Sequence, residues 1–233
     1  MLAEERLTPQ ALSAVHDLLG PDVSLADIST LADRLKWTIK GYNAWHQIHV
    51  PITESRYDSR FCDPGECIVS KIRDFERVLK APNAAKAAKQ EALTFLIYLI
   101  EDLHQPLHVG DTGSKGGKLI QVRFFNLPSN LHRVWDSQIV ERYTADEQEL
   151  LRGLKHFATP GLAAQWSKGP VEDWATESLQ VAKKAYRLQE SSATITSGTT
   201  LDAYYCSTAL PIIQEQLAKA GMRVACVLNQ IFR

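Results

Sequence analysis

Asp102, His104, His108, His132 and Asp136 all fall within one stretch, ALTFLIYLIEDLHQPLHVGDTGSKGGKLIQVRFFNLPSNLHRVWD, from Ala92 to Asp136. Imidazole nitrogens and carboxylate oxygens are the ligands zinc favours, and three of them with a fourth position open is the catalytic arrangement. The spacing supports such a set. His132 and Asp136 stand at i, i+4, so on a helix they share a face. Asn130, two residues before His132, is a good N-cap for that helix. Upstream, an apolar helix from Leu93 to Ile100 delivers Asp102 at its C-terminal end. Pro106 lacks an N–H and stops that helix, which leaves His108 in the following turn. A lone histidine is more often an ordinary surface or core residue. The second pair at helical spacing makes His108, His132 and Asp136 a three-ligand site.

The elements that must hold these groups are read from periodicity. Thr8-Pro9 opens a helix whose apolar face is Leu12, Val15, Leu18 and Leu19, ended by Gly20-Pro21. Ser24 and Asp27 form a capping box for a second helix, expected to reach about Trp37 and carrying Asp33 and Lys36. Trp45 to Pro51 is expected to be extended or irregular, and Thr53 to Gly65 a loop. Helices are expected over Cys67–Lys80, Ala84–Glu101, Asn130–Glu141 and Pro170–Arg187, with another from a Thr144/Glu147 cap to Phe157. Ile120, Val122 and Phe124 alternate, predicting a small β-hairpin near 118–126 rather than a sheet. Ser191 to Thr200 reads as a flexible loop, and Pro211 to Phe232 as a closing helix. With no repeat or linker, the expectation is one all-α domain, mainly helical, over 1–233.

Composition narrows the function without choosing it. The chain has 233 residues, 45% of them hydrophobic and 23% charged, which suits a soluble globular protein. A formal net charge of −1 gives no global pull towards nucleic acid or acidic membranes. Locally, Lys115, Lys118, Arg123 and Arg133 lie in the ligand-rich stretch, either as a solvated basic face or as a pocket for an anion. No apolar run approaches the roughly 20 residues of a membrane span, and the first residues lack the pattern of a signal peptide. Of the four cysteines, Cys62 and Cys67 bracket Pro64-Gly65 and could close a small loop in an oxidising compartment, or remain free thiols. Cys206 and Cys226 read as packing residues.

D-x-H-Q-P-L-H, then Gly-Gly, then N-L-H-x-V-W-D, with an upstream Ala-Asp on a helix and Trp-His before a proline, resembles the S1/P1 nuclease family. These are mainly helical, zinc-dependent phosphodiesterases related to bacterial zinc phospholipase C. The likeness extends from the LTPQA start to the closing P-I-I-x-E-Q-L-A-K-A-G-x-R-x-A helix. The resemblance implies up to three zinc ions. It makes Asp33 and His46 ligands of one zinc, Asp102 a carboxylate bridging it to a close neighbour, and His108, His132 and Asp136 the ligands of a third. Lys36 would stabilise phosphate in the transition state, and His104 would orient or pack. The implied substrates are single-stranded DNA or RNA and 3′-nucleotides, cut to 5′-phosphates. The implied protein is a secreted or periplasmic monomer.

Three departures from the family pattern stand out. The family's Trp-Gly start and nearby histidine, which hold one of the paired zincs, have no counterpart at Met1-Leu2-Ala3. Tyr98 stands where the family has a ligand histidine, four residues before the bridging aspartate. His49 and Lys118 occupy positions where an aspartate and an asparagine often meet the base, and are taken as substrate-binding residues. Two alternatives follow: a degenerate homologue that keeps one zinc without hydrolysis, or a zinc phospholipase C-like lipase.

Overall fold

The computed structural model describes residues 2–31, 34, 42–62, 65–188 and 192–233. A 3-10 turn at Glu4–Arg6 leads into α1 (Pro9–Leu19), whose cap Thr8 accepts a hydrogen bond from the Ala11 N–H. Next come α2 (Leu25–Ser29), closed by the expected Ser24/Asp27 capping box, and the short α3 (Tyr42–Trp45). Then follow β1 (Val50–Pro51), α4 (Ile68–Lys80), the long α5 (Lys86–Leu103) and a 3-10 turn over Pro106–His108. Strands β2 (Gly110–Asp111), β3 (Gln121–Phe124) and β4 (Leu127–Asn130) carry the chain to α6 (Leu131–Arg133). A π-helical turn, Val134–Gln138, joins α6 to α7 (Ile139–Tyr143). Four further elements complete the helical array: α8 (Glu147–Phe157), α9 (Pro160–Trp166), α10 (Val171–Ala185) and, after β5 (Thr200–Leu201), α11 (Ala203–Ile231).

Helix α5 is apolar on nearly every side: Leu93, Phe95, Leu96, Ile97, Leu99, Ile100 and Leu103 are all buried. Such a helix belongs at the centre of a helical fold. It is wrapped by α4 through Ile68, Val69 and Ile72, and by α11 through Val224, Val227 and Leu228. Each fully buried aliphatic side chain contributes about 1.5–3 kcal/mol, so this layer fixes where α5 ends. A second cluster, with Leu107, Val122, Leu131, Val134, Trp135 and Ile213, joins the strands to α6 and α11. Trp135 donates to the Tyr205 hydroxyl at 2.7 Å, and that hydroxyl donates to the Ala185 carbonyl at 3.0 Å. The ligand-rich stretch runs along the seam between the two clusters.

Several expectations need correction. The hairpin spans Gln121 to Asn130, and Thr200–Leu201 adds a third, parallel strand beside β3. Part of the Ser/Thr-rich segment is therefore paired: Arg187 also bridges Thr194. The cap of α8 is Asp146, which accepts from Gln148 and Glu149, while the Thr144 hydroxyl accepts from the Asp146 N–H. Helix α11 starts at Ala203 on an Asp202 cap, well before Pro211. Pro211 and Ser207 are both exposed, so water can serve the Ser207 carbonyl that proline leaves without its helical donor. Helix α9 was not expected. The Trp45–Pro51 segment departs from the extended or irregular expectation only at Trp45, which ends α3; Val50–Pro51 is extended and pairs in parallel with Gly110–Asp111. The stretch meant to extend the second helix to Trp37, with Asp33 and Lys36, lies outside the described residues. Cys62 and Cys67 form a disulfide, whereas Cys206 and Cys226 are free and half-buried.

Candidate metal centre

Helix α5 ends one residue beyond Asp102, and Gln105 then caps the 3-10 turn by accepting from the Leu107 N–H at 2.7 Å. The turn aims His108 into the seam. Pairing of β1 with β2 brings the 46–49 segment alongside, with the Ile48 N–H donating to the His108 carbonyl at 2.7 Å. From the other side, Asn130 accepts from the Arg133 N–H and starts α6, which places His132 in its single turn. Asp136 follows inside the π-helical turn, a distortion often found at functional sites.

His108, His132 and Asp136 meet, one ligand atom from each lying within 4.8 Å of the others. The two imidazoles stack with centroids 5.0 Å apart and planes 6° from parallel. Asp136 reaches both: Oδ1 is 3.4 Å from His108 Nε2, and Oδ2 is 3.5 Å from His132 Nε2. Both Nδ1 atoms face backbone carbonyls, His132 to Gly116 at 2.8 Å and His108 to His46 at 3.1 Å. A carbonyl can only accept, so each Nδ1 carries the proton and each Nε2 is turned to the shared space. That is the tautomer a metal ligand needs, fixed from behind by the hydrogen bond of the other nitrogen.

Asp102 lies behind His108, its Oδ2 3.5 Å from His108 Nδ1. That oxygen is buried without a hydrogen-bond partner among the described residues. A carboxylate oxygen in that state calls for a cation. The electrostatics point the same way. Burial alone would lower the His108 pKa, but Asp102 and Asp136 overcome it and push it up to about 10. Burial and the neighbouring His108 charge push His132 down to about 4. Burial would raise the Asp136 carboxyl, yet hydrogen bonds and charge from the histidines hold it well below the usual range.

The other expected residues lie around this set. The His46 ring meets His108 edge-on at 5.5 Å. Tyr98, one turn before Asp102 on α5, is half-buried against the main core. His49 is partly exposed with Nδ1 3.4 Å from Asp111 Oδ2, and the Lys118 ammonium is 3.4 Å from Gln47 Oε1. Burial lowers the His49 pKa, Asp111 opposes this, and the Lys118 and Lys115 charges add to the lowering. Two groups were missed in the sequence. Gln105 Nε2 donates to Asp136 Oδ1 at 2.8 Å, and Gly116 supplies the carbonyl behind His132. Both stand inside the segments that carry the family resemblance, D-x-H-Q-P-L-H and Gly-Gly, which assign neither a role of its own. A cavity of ≈ 190 Å³ opens beside the cluster, between Asp102, Gln105 and Asp136 on one side and Trp135, Ile213 and Leu217 on the other.

A sequence model described as S1/P1 Nuclease matches residues 1–233. The chain belongs to the S1/P1 nuclease family. It is 32% identical to Endonuclease 2 of Arabidopsis thaliana over 99% of this chain and 87% of that protein. It is 28% identical to Nuclease S1 of Aspergillus oryzae, over 99% of this chain and 88% of that one. With Nuclease P1 of Penicillium citrinum the identity is 27%, over 99% and 93%. As a mainly helical S1/P1 nuclease family member, the protein carries a group of side chains able to hold a metal ion where the chain's DLHQPLH and NLHRVWD segments meet. Among the described residues, no helix is long and apolar enough to cross a membrane.

Proposed function

We propose that this protein is a zinc-dependent phosphodiesterase, one domain over 1–233, that hydrolyses single-stranded DNA or RNA, and 3′-nucleotides, to 5′-phosphate products. The single observation that carries the reading is the convergence of His108, His132 and Asp136, with both Nδ1 atoms committed to carbonyls. Two imidazole nitrogens and one carboxylate suit zinc and leave a position open. When bound, zinc supplies a Lewis acid that acidifies water near neutral pH and offsets the growing charge on phosphate.

The chain's own groups do the rest. His108 and His132 present Nε2, Asp136 adds charge, and Gln105 holds Asp136 in place. Asp102, with Asp33 and His46, is the proposed ligand group for a paired site, and Lys36 the cation that stabilises the transition state. Lys115 and Lys118 draw in the anionic backbone, and His49 with Lys118 meets the base. The Cys62–Cys67 disulfide favours secretion or a periplasmic setting, as proposed from the family. The working form is taken as a monomer.

A second reading rests on Tyr98: neutral tyrosine is a poor zinc ligand, which favours a homologue that keeps one zinc and has lost hydrolysis. Metal counting and an assay of the full chain with added zinc separate the two. Three zinc ions per chain with cleavage of single-stranded DNA, RNA or 3′-AMP supports the nuclease. One zinc with all three substrates untouched supports the second reading, and no bound zinc sinks both. In Tyr98→His, zinc stoichiometry and rate should both rise; if neither moves, Tyr98 is not the limiting position.

A further inference from the structure

The turn that backs His132 is built around one carboxylate. Asp111, at the end of β2, uses Oδ1 to accept from the backbone N–H groups of Thr112 at 2.8 Å, Ser114 at 2.9 Å and Gly116 at 3.1 Å. The Ser114 hydroxyl adds a fourth donor at 3.1 Å and accepts in turn from the Gly117 N–H at 3.0 Å. The segment DTGSKGG would otherwise be loose: Gly113, Lys115, Gly116 and Gly117 all have positive φ. Wrapped on the carboxylate, it is pressed so close that a Cβ on Gly116 would overlap the Leu107 carbonyl oxygen. The outcome of this wrapping is the position of one group, the Gly116 carbonyl, 2.8 Å from His132 Nδ1. Asp111 itself is fixed by β1, its own carbonyl accepting from the Ile52 N–H at 3.0 Å, and its Oδ2 is left to His49.

We propose that Asp111 is a positioning residue for the metal centre, setting the tautomer and ring plane of His132 through the amide cage and the Gly116 carbonyl. It touches neither metal nor substrate. Carbonyls and carboxylates behind a ligating imidazole fix the ring and raise its basicity, and their loss weakens metal affinity without removing a ligand. Here the carboxylate acts one step further back, by shaping the loop that bears the carbonyl. The inference rests on His132 being a zinc ligand, yet the ring's order can be read before any metal is added.

The test compares full-length wild type, Asp111→Ala and Asp111→Asn. The asparagine variant keeps an oxygen for the cage and places its NH₂ towards His49. In EDTA-treated protein, the His132 Nδ1–H should give an exchange-protected imidazole NMR signal in wild type and Asp111→Asn, and none in Asp111→Ala. Zinc affinity, from competition with a chromophoric chelator, should fall about 10–100-fold in Asp111→Ala and stay within about threefold in Asp111→Asn. A protected His132 signal with unchanged affinity in Asp111→Ala overturns the proposal. So does an asparagine variant as damaged as the alanine one. Should Asp111→Ala not fold, Ser114→Ala removes one hydroxyl from the cage and should weaken both readouts in part; no change in either overturns it. A wild type that binds no zinc but shows the protected signal would refute the zinc assignment while leaving the cage intact.

Discussion

His104 and His108 lie one helical turn apart in sequence and are almost equally buried, at 3% and 5% exposed, yet their surroundings are opposite in sign. His104 gives Nδ1–H to the Ile100 carbonyl at 2.7 Å and accepts at Nε2 from Arg223 at 2.7 Å. Arg223, itself 1% exposed, also donates to the Trp166 carbonyl at 2.9 Å and to Glu177 at 2.7 Å, and lies over the Trp174 ring. Burial and then the Arg223 charge push His104 down to about 3. Every polar atom of that ring is spent on the protein. His108 instead faces two carboxylates and keeps Nε2 for whatever sits between it, His132 and Asp136. Burial therefore does not separate a histidine able to hold a metal from a structural one; the charge beside the ring does. One region repels a cation and ties α5 to α10 and α11, while the other invites a cation at the end of the same helix.

The largest effects should come from removing the His108 ring and the Arg223 partner of His104. His108→Ala should lose an ion from its set and at least about 100-fold in rate, with folding largely kept, since zinc supplies several kcal/mol of charge stabilisation. Metal analysis and kinetics would check this; retained zinc and rate would break the contrast. Arg223→Met should instead leave zinc stoichiometry alone and lower stability by about 3 kcal/mol, the cost of breaking a buried charge network. Urea unfolding would measure it.

A subtler pair of effects appears with pH in the zinc-free protein. The folded His108 value lies above its ordinary 6.5, so its contribution to stability is complete below that pH and is lost as pH rises towards about 10. The folded His104 value lies below 6.5, so its contribution is complete above that pH and is lost as pH falls towards about 3. Urea midpoints across pH should show the alkaline loss vanish in His108→Ala and the acid loss shrink in Arg223→Met. Identical profiles in the two variants would mean the histidines do not differ as described.

Much of this could be read in the chain itself. The capping box at Ser24 and Asp27, the Thr8-Pro9 start and the apolar run of α5 are local signals, set within a few residues by hydrogen bonding and helical period. Asn130 and the His132/Asp136 spacing likewise act over one turn. The misses are non-local. Thr200–Leu201 became a strand because β3 offered it an edge, and Pro211 sits inside α11 because its face is exposed. Gln105 and Gly116 reach Asp136 and His132 only after folding, and the local cage around Asp111 acts on the site only through that Gly116 contact, so no periodicity marks them.

The sequence by itself determined the helical character, the ends of the helices that bear the site, and which side chains there are able to bind a metal. Those follow from propensity, capping and side-chain chemistry, which are properties of neighbours along the chain. Which histidine faces carboxylates and which faces Arg223 was decided only in three dimensions. Charge acts through space, and α11 reaches His104 from 119 residues away.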